Sequence, residues 1–286
     1  MENAKPLISV VMPTFNRGAF IEAALQRLLE EKSRYYKNIE IIVIDGGSKD
    51  STVEILKKYE KDLTYWISEP DKGPADAFNK GIRKAQGAYV RFYSDDDQLF
   101  PSTTPAMVEH LSAHPEIDVL GGRAEYYMLK ESGNLDPFPG LSCAGEFKLE
   151  DCLDPTRRGY ILTETCFYKR TLFEEMGFWD PVYGVSCDIE FFLRISKAKK
   201  KIEVLDLVTA KKIWHSDSNV FKYMGSAKLS LLLAVWRYGG FSAFKRTMAK
   251  DIIPYFQYDR NFREQLLRTL WAWACSGFGR RAPIVK

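Results

Sequence analysis

The sequence is short of the residues from which several classes of site are built. It has three histidines and five cysteines in 286 residues, and no two cysteines form a CxxC pair. Because the cysteine count is odd and the pairs are missing, the pattern favours neither a disulfide framework nor a structural zinc site. We therefore expect reduced thiols, as in a cytosolic protein.

Long apolar runs and a surplus of one charge are also missing. The most apolar stretch of the last third, 229–236, is broken by Arg237 and is shorter than the roughly 20 residues of a transmembrane helix. The first residues lack the basic and then apolar pattern of a secretory signal. Lys and Arg number 41 against 38 Asp and Glu, a balance that argues against a nucleic-acid partner bound through bulk charge. The composition predicts a cytoplasmic location.

Basic charge is concentrated near the C-terminus. The segment 260–286, which we call the tail, has six basic residues and one acidic residue, a net charge of +5. It also contains Trp271 and Trp273, and Trp beside basic residues is typical of the membrane–water interface. Two interpretations stay open: the tail holds the protein on the inner face of the membrane, or it packs on the main domain or on a second subunit of a homodimer.

The first hundred residues alternate buried-strand and helical patterns. Apolar runs predict four strands, at Leu7–Met12, Ile39–Ile44, Leu63–Ser68 and Tyr89–Tyr93. Apolar residues at helical spacing predict helices between them, at Phe20–Leu29, after Ser51, and at Ala75–Ala85. Repeated strand–helix units of this length predict an α/β fold with a mostly parallel sheet flanked by helices.

The pattern is less regular after Pro101. Short strands are predicted at Val119–Gly121, Glu125–Leu129, Tyr160–Tyr168 and Ile202–Leu205, and helices at Pro105–His114 and Ile189–Lys199. The Pro- and Gly-rich segment Asp136–Glu146 predicts a long loop. His110 and His114 lie at helical spacing with no third ligand nearby, so we interpret them as a solvated helix face.

From Phe221 onward the pattern is mainly helical and predicts a C-terminal appendage. We expect a main domain over 1–218, with halves of about 1–101 and 102–218. A helical extension, 219–286, follows it.

Polar segments follow four successive strands of the predicted sheet. In an open parallel sheet, ligands bind outside the carboxyl ends of the strands, where these segments would meet. The segments are Pro13–Arg17, Asp45–Ser48, Glu69–Gly73 and Ser94–Asp97. Their succession predicts a ligand site at this edge.

Asp95, Asp96 and Asp97 are the most distinctive of these residues. Three adjacent carboxylates repel one another, and a hard divalent cation shared with phosphate oxygens would offset that repulsion. The alternative is a solvated acidic turn that caps the next helix. The P-loop and GxGxxG patterns are absent, so phosphate neutralisation would fall to metal and basic side chains.

Three blocks in fixed order resemble the donor half of a family 2 glycosyltransferase with the A-type (GT-A), Rossmann-like fold. They are PTFNR, then IEIIVIDGGSKDSTVEIL, then SEPDKGPADAFNKGIRKAQGAYVRFYSDDDQLFP. The resemblance spans about Leu7 to Ser218 and is densest over the first hundred residues. It implies that 1–218 is the catalytic domain, with a donor half of about 1–101 and an acceptor half of about 102–218. It implies a nucleotide-diphosphate sugar as donor and Mn²⁺ or Mg²⁺ as cofactor.

The resemblance assigns the first polar segments to the nucleotide. Asp45 would accept a hydrogen bond from the imide N–H of uracil or thymine, which favours a UDP-sugar. Asp76 would contact the nucleotide-sugar. The base and ribose pocket would be lined by Pro13, Thr14, Asn16 and Arg17.

The resemblance also implies a metal centre. Asp95 and Asp97 fit its DXD motif, with Asp97 as the most direct metal ligand and Asp96 facing the ribose or the sugar. Many relatives carry one acidic pair here, so the triplet leaves the position of the motif open by one residue. His215 would reach the diphosphate or the metal, or would be a structural histidine.

The acceptor side resembles the family through GFWDP and SCDIEFFLR. There Asp188 takes the place of the catalytic base, and a carboxylate at a helix N-terminus is stabilised in its charged form. A plain helix cap is the alternative role, and Glu190 is the fallback base. Trp179 is either a platform for a sugar face or a core residue.

The function that follows is inverting transfer of a single sugar to a hydroxyl of a glycan or a lipid-linked acceptor. The QxxRW motif of processive polysaccharide synthases is absent, which favours one transfer over chain extension. A sugar-nucleotide-forming enzyme is disfavoured because Pro13–Asn16 is not a glycine-rich, Arg-bearing loop. The alternative from another class is a nucleotide-sugar- or carbohydrate-binding protein of the same fold without turnover.

Overall fold

The structure is a computed structural model that describes residues 7–94, 98–130, 132–138, 145–154, 161–214, 224–253 and 264. The described residues fall into two compact units. The first takes in those between Met1 and Phe147, those between Tyr160 and Phe178, and Lys200–Trp214. The second takes in those of Lys148–Gly159, Trp179–Lys199 and His215–Lys286.

Ten strands and eight α-helices form within the described residues. The strands are β1 Ile8–Thr14, β2 Ile39–Asp45, β3 Tyr65–Ser68, β4 Tyr89–Phe92, β5 Gln98–Leu99, β6 Val119–Leu129, β7 Leu135–Phe138, β8 Gly145–Phe147, β9 Phe167–Lys169 and β10 Ile202–Trp214. The helices are α1 Ile21–Glu30, α2 Thr52–Tyr59, α3 Pro74–Lys84, α4 Thr104–Ala113, α5 Leu149–Leu153, α6 Arg170–Met176, α7 Cys187–Lys197 and α8 Met224–Thr247. Short π-helical segments, Glu31–Tyr35 and Met248–Ile252, follow α1 and α8.

The strands of the first unit form one sheet in the order β3-β2-β1-β4-β9-β6-β10-β5, with β7 beside β6 and β8 beside β10. Strands β3, β2, β1 and β4 are mutually parallel, and so are β6 and β10, whereas β9 is antiparallel to both of its neighbours. The prediction of a mostly parallel sheet flanked by helices, with a helical C-terminal segment, is therefore confirmed.

The register of the parallel strands aligns the edge that carries the polar segments. Thr14 at the end of β1 lies opposite Asp45 at the end of β2, and Asp45 lies opposite Ser68 at the end of β3. Helix α3 packs closely on β1, since a Cβ placed on Gly81 would lie only 2.2 Å from Cγ1 of Val11. This contact holds the helix that begins with Pro74 and Asp76 against the sheet.

Four predicted elements differ from the structure. Strand β6 runs unbroken through Arg123, β10 extends nine residues beyond the predicted end at Leu205, and the predicted loop 136–146 contains residues of β7 and β8. In place of a strand ending at Tyr168, a 3₁₀ turn at Thr163–Thr165 precedes the short β9. Strands β6 and β10 pair along most of their length, and such distant pairing stabilises polar stretches that have no local strand pattern.

The prediction of a solvated face for the two histidines at the end of α4 holds for His114, which is exposed, but only in part for His110. The two rings lie 4.5 Å apart, and Nε2 of His110 lies 3.0 Å from a carboxylate oxygen of Glu203 on β10. His110 is only partly exposed, so this face of α4 is paired with the sheet rather than simply solvated.

In the second unit, α8 is interrupted at Gly240, whose φ of 69° breaks the helical course. A small core forms from Leu229, Leu232 and Ile252, with Phe244 and Met248 packed against it. Within the described residues, no helix has the length and apolar character that crossing a bilayer requires.

A buried ion pair joins the sheet of the first unit to its helices. Nη1 of Arg91 on β4 lies 2.5 Å from Oε1 of Glu31, and that same oxygen accepts a hydrogen bond from the Thr104 hydroxyl. The guanidinium also lies over the Phe167 ring, 5.3 Å from its centroid. A buried charge that loses its partner is costly, so this group fixes how α1 and α4 meet β4.

We expect Arg91→Met to lower the free energy of unfolding by about 3–5 kcal/mol, because Glu31 would remain buried without its cation. The double variant with Glu31→Met should recover part of that loss. Arg34→Met, which breaks the exposed ion pair with Glu30, is the matched control and should cost less than about 1 kcal/mol. Urea unfolding measures the free energy of unfolding of all three variants. Equal losses of stability in Arg91→Met and Arg34→Met would show that burial of the ion pair is unimportant.

Candidate active site

Asp45 organises the carboxyl edge of the sheet. Its side chain is 0% exposed and accepts hydrogen bonds from the Ser48 backbone N–H at 2.9 Å, from the Ser48 hydroxyl, and from the Ser68 hydroxyl at 2.5 Å. The backbone N–H of Gly47 donates to the same carboxylate at 3.2 Å. A buried carboxylate needs such donors, and here they come from the ends of both β2 and β3.

The loop after β1 is joined to the loop after β2 by a second set of hydrogen bonds. Asn16 donates its backbone N–H to the Ser48 hydroxyl at 2.7 Å, and its side-chain oxygen accepts from the Lys49 backbone N–H at 2.8 Å. Arg17 donates its backbone N–H to the Thr52 hydroxyl at 2.9 Å. Asn16 adopts φ = +53°, a conformation that Asn tolerates better than most residues. The Asn16 side chain is thus used to shape the loop.

The carboxylate of Asp50 continues this connection. It accepts from the Gly18 backbone N–H at 2.8 Å and from the backbone N–H and hydroxyl of Thr52 at 3.0 and 2.5 Å. Burial alone would raise the pKa of Asp50, but the hydrogen bonds from Thr52 and Gly18 outweigh it and lower the pKa below its usual value. The hydrogen bonds of Asp50 therefore stabilise the folded protein at pH values above the pKa that Asp50 has in the unfolded chain. This stabilisation is lost as the pH falls through the lower pKa that Asp50 has in the folded protein.

Phe15 and Gly46 lie within the predicted ligand segments, but the sequence interpretation gave neither of them a role. The Phe15 side chain is 56% exposed at the end of β1, beside Gly46. A Cβ placed on Gly46 would lie 2.5 Å from Oδ2 of Asp71 and 3.3 Å from the Phe15 ring, so only glycine lets both approach. An exposed aromatic within a predicted ligand loop is a signal that would have identified Phe15.

Asp76 lies in the first turn of α3 and accepts a hydrogen bond from the Lys72 backbone N–H at 3.1 Å. Nζ of Lys80 lies 3.6 Å from this carboxylate and 2.8 Å from that of Glu69. The hydrogen bond to Glu69 and the nearby acidic groups raise the pKa of Lys80, although burial opposes them. A cation on α3 thus lies beside Asp76 and pairs with Glu69, the first residue after β3.

The predicted metal ligands Asp95, Asp97 and His215 lie outside the described residues, as does Asp96. The chain enters the aspartate segment from β4, which pairs with β1 so that Phe92 lies opposite Val11. Strand β4 therefore ends at the same edge of the sheet as β1. In the parts of the chain that the structure describes, no cluster of three or more His, Cys, Asp or Glu side chains is arranged to hold a metal.

Asp188 lies in the second unit, in the first turn of α7. It is partly exposed, and its Oδ1 lies 2.8 Å from the backbone N–H of Ile189. Burial, together with the charge of Asp188, raises the pKa of the Cys187 thiol, so that neighbour stays protonated. Asp188 itself places a carboxylate at the N-terminus of α7, where the helix dipole favours negative charge.

Glu190 has a different environment although it is only two residues away. Its side chain is 2% exposed and forms a bidentate pair with Arg194, at 3.1 and 2.9 Å, and it accepts from the Tyr238 hydroxyl at 2.6 Å. Burial, and then the hydrogen bond to Glu190, raises the pKa of Tyr238. This carboxylate is committed to joining α7 to α8, which argues against Glu190 as the base.

Trp179, the other aromatic singled out on the acceptor side, is buried in the second unit. Its burial favours the core interpretation over a platform for a sugar. The cysteines Cys152, Cys166 and Cys187 are free thiols and buried, in agreement with the expectation of reduced cysteines.

Comparison with solved structures assigns the fold to the GT-A glycosyltransferases. Staphylococcus aureus TarS, residues 1–349, matches with a TM-score of 0.66 at 19% identity, over 97% of this chain and 81% of that one. A complex of the same protein with UDP-GlcNAc matches with a TM-score of 0.66 at 18% identity, over 92% and 79%. The mannosyltransferase PcManGT of Pyrobaculum calidifontis, in complex with GDP-Man and Mn²⁺, matches with a TM-score of 0.60 at 19% identity, over 96% and 77%.

The sequence defines the family within that fold. Residues 9–177 match the model of glycosyl transferase family 2, and the chain belongs to this family. A glycosyltransferase of Mycobacterium tuberculosis is 30% identical over 66% of this chain and 68% of its own length, and one of Rickettsia typhi is 29% identical over 70% and 63%. The GalNAc(5)-diNAcBac-PP-undecaprenol beta-1,3-glucosyltransferase of Campylobacter jejuni is 28% identical over 63% and 57%. The chain thus spans somewhat under two thirds of the latter two relatives.

Gly46→Ala tests whether this edge of the sheet binds a nucleotide. Its Cβ would displace the Asp71 carboxylate and the Phe15 ring, so we expect the affinity for UDP to fall by about tenfold or more, which is about 1.4 kcal/mol of binding free energy. Stability should change little, because Gly46 does not have a positive φ and Phe15 is exposed. Ser51→Ala, on the same edge and without a capping hydrogen bond, is the control for titration calorimetry. Unchanged UDP affinity in Gly46→Ala would exclude this surface as the nucleotide site.

Proposed function

We propose that this protein is a metal-dependent, inverting glycosyltransferase that moves one sugar from a UDP-sugar to a hydroxyl of a glycan or lipid-linked acceptor. The observation that carries the proposal is the edge built around Asp45, where hydrogen bonds hold the ends of three parallel strands and their loops in one arrangement. Family membership supplies the reaction class. The nature of the donor, the nature of the acceptor and the inversion of configuration are further parts of the proposal.

Several comparisons support the choice of partners. Structures of TarS contain UDP and UDP-GlcNAc, and that of PcManGT contains GDP-Man with Mn²⁺. The name of the Campylobacter relative describes transfer of glucose to an undecaprenol-linked glycan. We carry over a nucleotide-diphosphate sugar as donor and a glycan on a lipid carrier as acceptor class.

The nucleotide would lie along the ends of β1, β2 and β3. Phe15 offers a ring face to the base, while Thr14, Asn16 and Arg17 belong to the loop that would surround base and ribose. Asp45 has a structural role in the edge already, and its predicted contact with the base imide would require Ser48 or Ser68 to release one of its oxygens. Asp76, at the N-terminus of α3, would contact the nucleotide-sugar.

The carboxylates after β4 suit a hard cation, since oxygen ligands are what Mg²⁺ and Mn²⁺ prefer. Asp97 and Asp95, with His215, would hold the ion, and Asp96 would face the ribose or the sugar. A bound cation supplies Lewis-acid stabilisation of the negative charge that develops on the departing diphosphate. Lys80, held near Asp76, adds positive charge at the same edge.

Asp188 would accept the proton of the acceptor hydroxyl as that oxygen attacks the anomeric carbon. The bond to the diphosphate breaks on the opposite side, so a single displacement inverts the configuration and needs no covalent intermediate. Glu190 would not take part in proton transfer. It would only help to position Asp188, because its pairing with Arg194 and Tyr238 fixes the first turns of α7.

The tail is proposed as a further contact, with the membrane or with a second subunit. Its residues lie outside the described ones apart from Glu264, so this contact stays a prediction based on its Trp residues and its net charge of +5. An exclusively binding function remains the alternative, distinguished by whether bound donor is ever turned over.

Asp97→Ala should abolish the metal-dependent part of donor binding, because it removes the most direct of the proposed metal ligands. Titration calorimetry with UDP, in Mn²⁺ and in EDTA, should show metal enhancement in the wild type and in the exposed control Asp62→Ala. It should show none in Asp97→Ala, while the unfolding midpoint stays the same. Full metal enhancement in Asp97→Ala would contradict the assignment.

Asp188→Asn keeps the shape of the side chain but removes the proton acceptor, so turnover should fall by about 10² to 10⁴. UDP affinity should be nearly unchanged. Release of UDP from a panel of UDP-sugars with Mn²⁺ gives the rate, and calorimetry gives the affinity. Glu190→Gln is the matched control, and we expect it to lower the unfolding midpoint chiefly, since it weakens a buried ion pair. Turnover within a few-fold of wild type in Asp188→Asn would assign the base elsewhere.

A further inference from the structure

Three aromatic rings form an exposed cluster on α8 in the second unit, which we call the aromatic face. It consists of Trp236, which is 51% exposed, Phe241, which is 63% exposed, and Phe244 between them. The ring centroid of Phe244 lies 6.1 Å from that of Trp236 and 6.2 Å from that of Phe241. Single exposed apolar residues are common on protein surfaces, but adjacent large rings are characteristic of interaction sites.

The aromatic face packs against the small core of the second unit. Phe244 packs against the core of Leu229, Leu232 and Ile252, whereas Trp236 and Phe241 extend from it towards solvent. The cluster is thus held by a fixed base and leaves two rings available for contact.

Basic side chains surround the rings. Nζ of Lys245 lies 4.6 Å from the Phe241 ring centroid, and Nη1 of the exposed Arg246 lies 3.3 Å from the Ser242 hydroxyl. The sequence from 218 to 250 has no acidic residue and six basic ones, namely Lys222, Lys228, Arg237, Lys245, Arg246 and Lys250. Large rings bordered by the basic side chains of Lys245 and Arg246 therefore define this surface.

The positive charge around the aromatic face distinguishes among the partners that could bind it. A symmetric dimer through the aromatic face would bring identical basic residues together, and the tail, with its net charge of +5, would be repelled in the same way. An anionic partner is required. Phe241 and Trp236 favour one that also offers an apolar interior, and an anionic bilayer combines the two properties.

We propose that the aromatic face binds the surface of an anionic membrane, with Trp236 and Phe241 at headgroup depth and Lys245 and Arg246 on lipid phosphates. This contact is separate from that predicted for the tail, and it does not depend on glycosyl transfer. Two contributions drive such association: Trp and Phe side chains lie at the membrane–water interface, and Lys or Arg side chains are attracted to anionic lipid.

The test is sedimentation of the full chain with vesicles of phosphatidylcholine alone or with 30% phosphatidylglycerol. Wild type should bind the anionic vesicles only. Lys245→Gln with Arg246→Gln should weaken binding by about thirtyfold, because each basic residue near such a surface contributes about a factor of five. Trp236→Ser with Phe241→Ser should weaken it by at least tenfold.

Two matched variants make the test specific. Lys57→Gln with Lys61→Gln removes the same charge from exposed positions of the first unit and should leave binding within about twofold. Trp271→Ser with Trp273→Ser removes two rings from the tail and should leave most of the binding. Circular dichroism and UDP calorimetry should be unchanged in the α8 variants, which keeps this proposal distinct from donor binding.

Five outcomes would overturn the proposal, and the first four concern binding. They are equal binding to both kinds of vesicle or to neither, equal losses from the charge variants of α8 and the first unit, a loss confined to the tail variant, and tighter binding to a single-stranded RNA oligomer than to anionic vesicles. A wild-type dimer that becomes monomeric in Trp236→Ser with Phe241→Ser would also overturn it, since a second copy would then occupy the face.

Discussion

The arrangement of the carboxyl edge of the sheet depends on one buried carboxylate. Asp45 is removed from water, so its charge is tolerable only with donors on both oxygens, and the sequence supplies them from the Gly47–Ser48 turn and from Ser68. Ser48 also accepts from Asn16, which extends the network to the loop after β1. The ends of β1, β2 and β3 are consequently ordered together, and a ligand that binds across them meets a surface that is already arranged.

A similar principle separates two carboxylates in the second unit. Glu190 is buried and satisfied by Arg194 and Tyr238, so it joins α7 to α8, whereas Asp188 is partly exposed at the N-terminus of α7. Sequence spacing alone makes either one a candidate base. Their environments assign a structural role to Glu190, and for this reason Asp188 is the residue proposed as the base.

The sequence predicted well those features that depend on local patterns. Apolar runs located β1 and β2, and helical spacing placed α3 within one residue of its observed bounds, Pro74–Lys84. The lengths of β6 and β10 were underestimated because their stability comes from pairing across about 80 residues. The structural roles of Asp45 and Glu190 were missed for the same reason: Ser68 and Tyr238, which complete their hydrogen bonding, lie 23 and 48 residues away. The role of Phe15 depends on the Gly46–Asp71 approach, which no spacing rule encodes.

The central claim is that a sugar bound through this edge is transferred with inversion. Time-resolved proton NMR of the full chain with Mn²⁺ and a panel of α-linked UDP-sugars would follow the anomeric proton of the first product before mutarotation. The account predicts release of UDP together with a β-configured product from at least one donor that binds. A product of retained α configuration would contradict the account, as would binding of donors without any turnover.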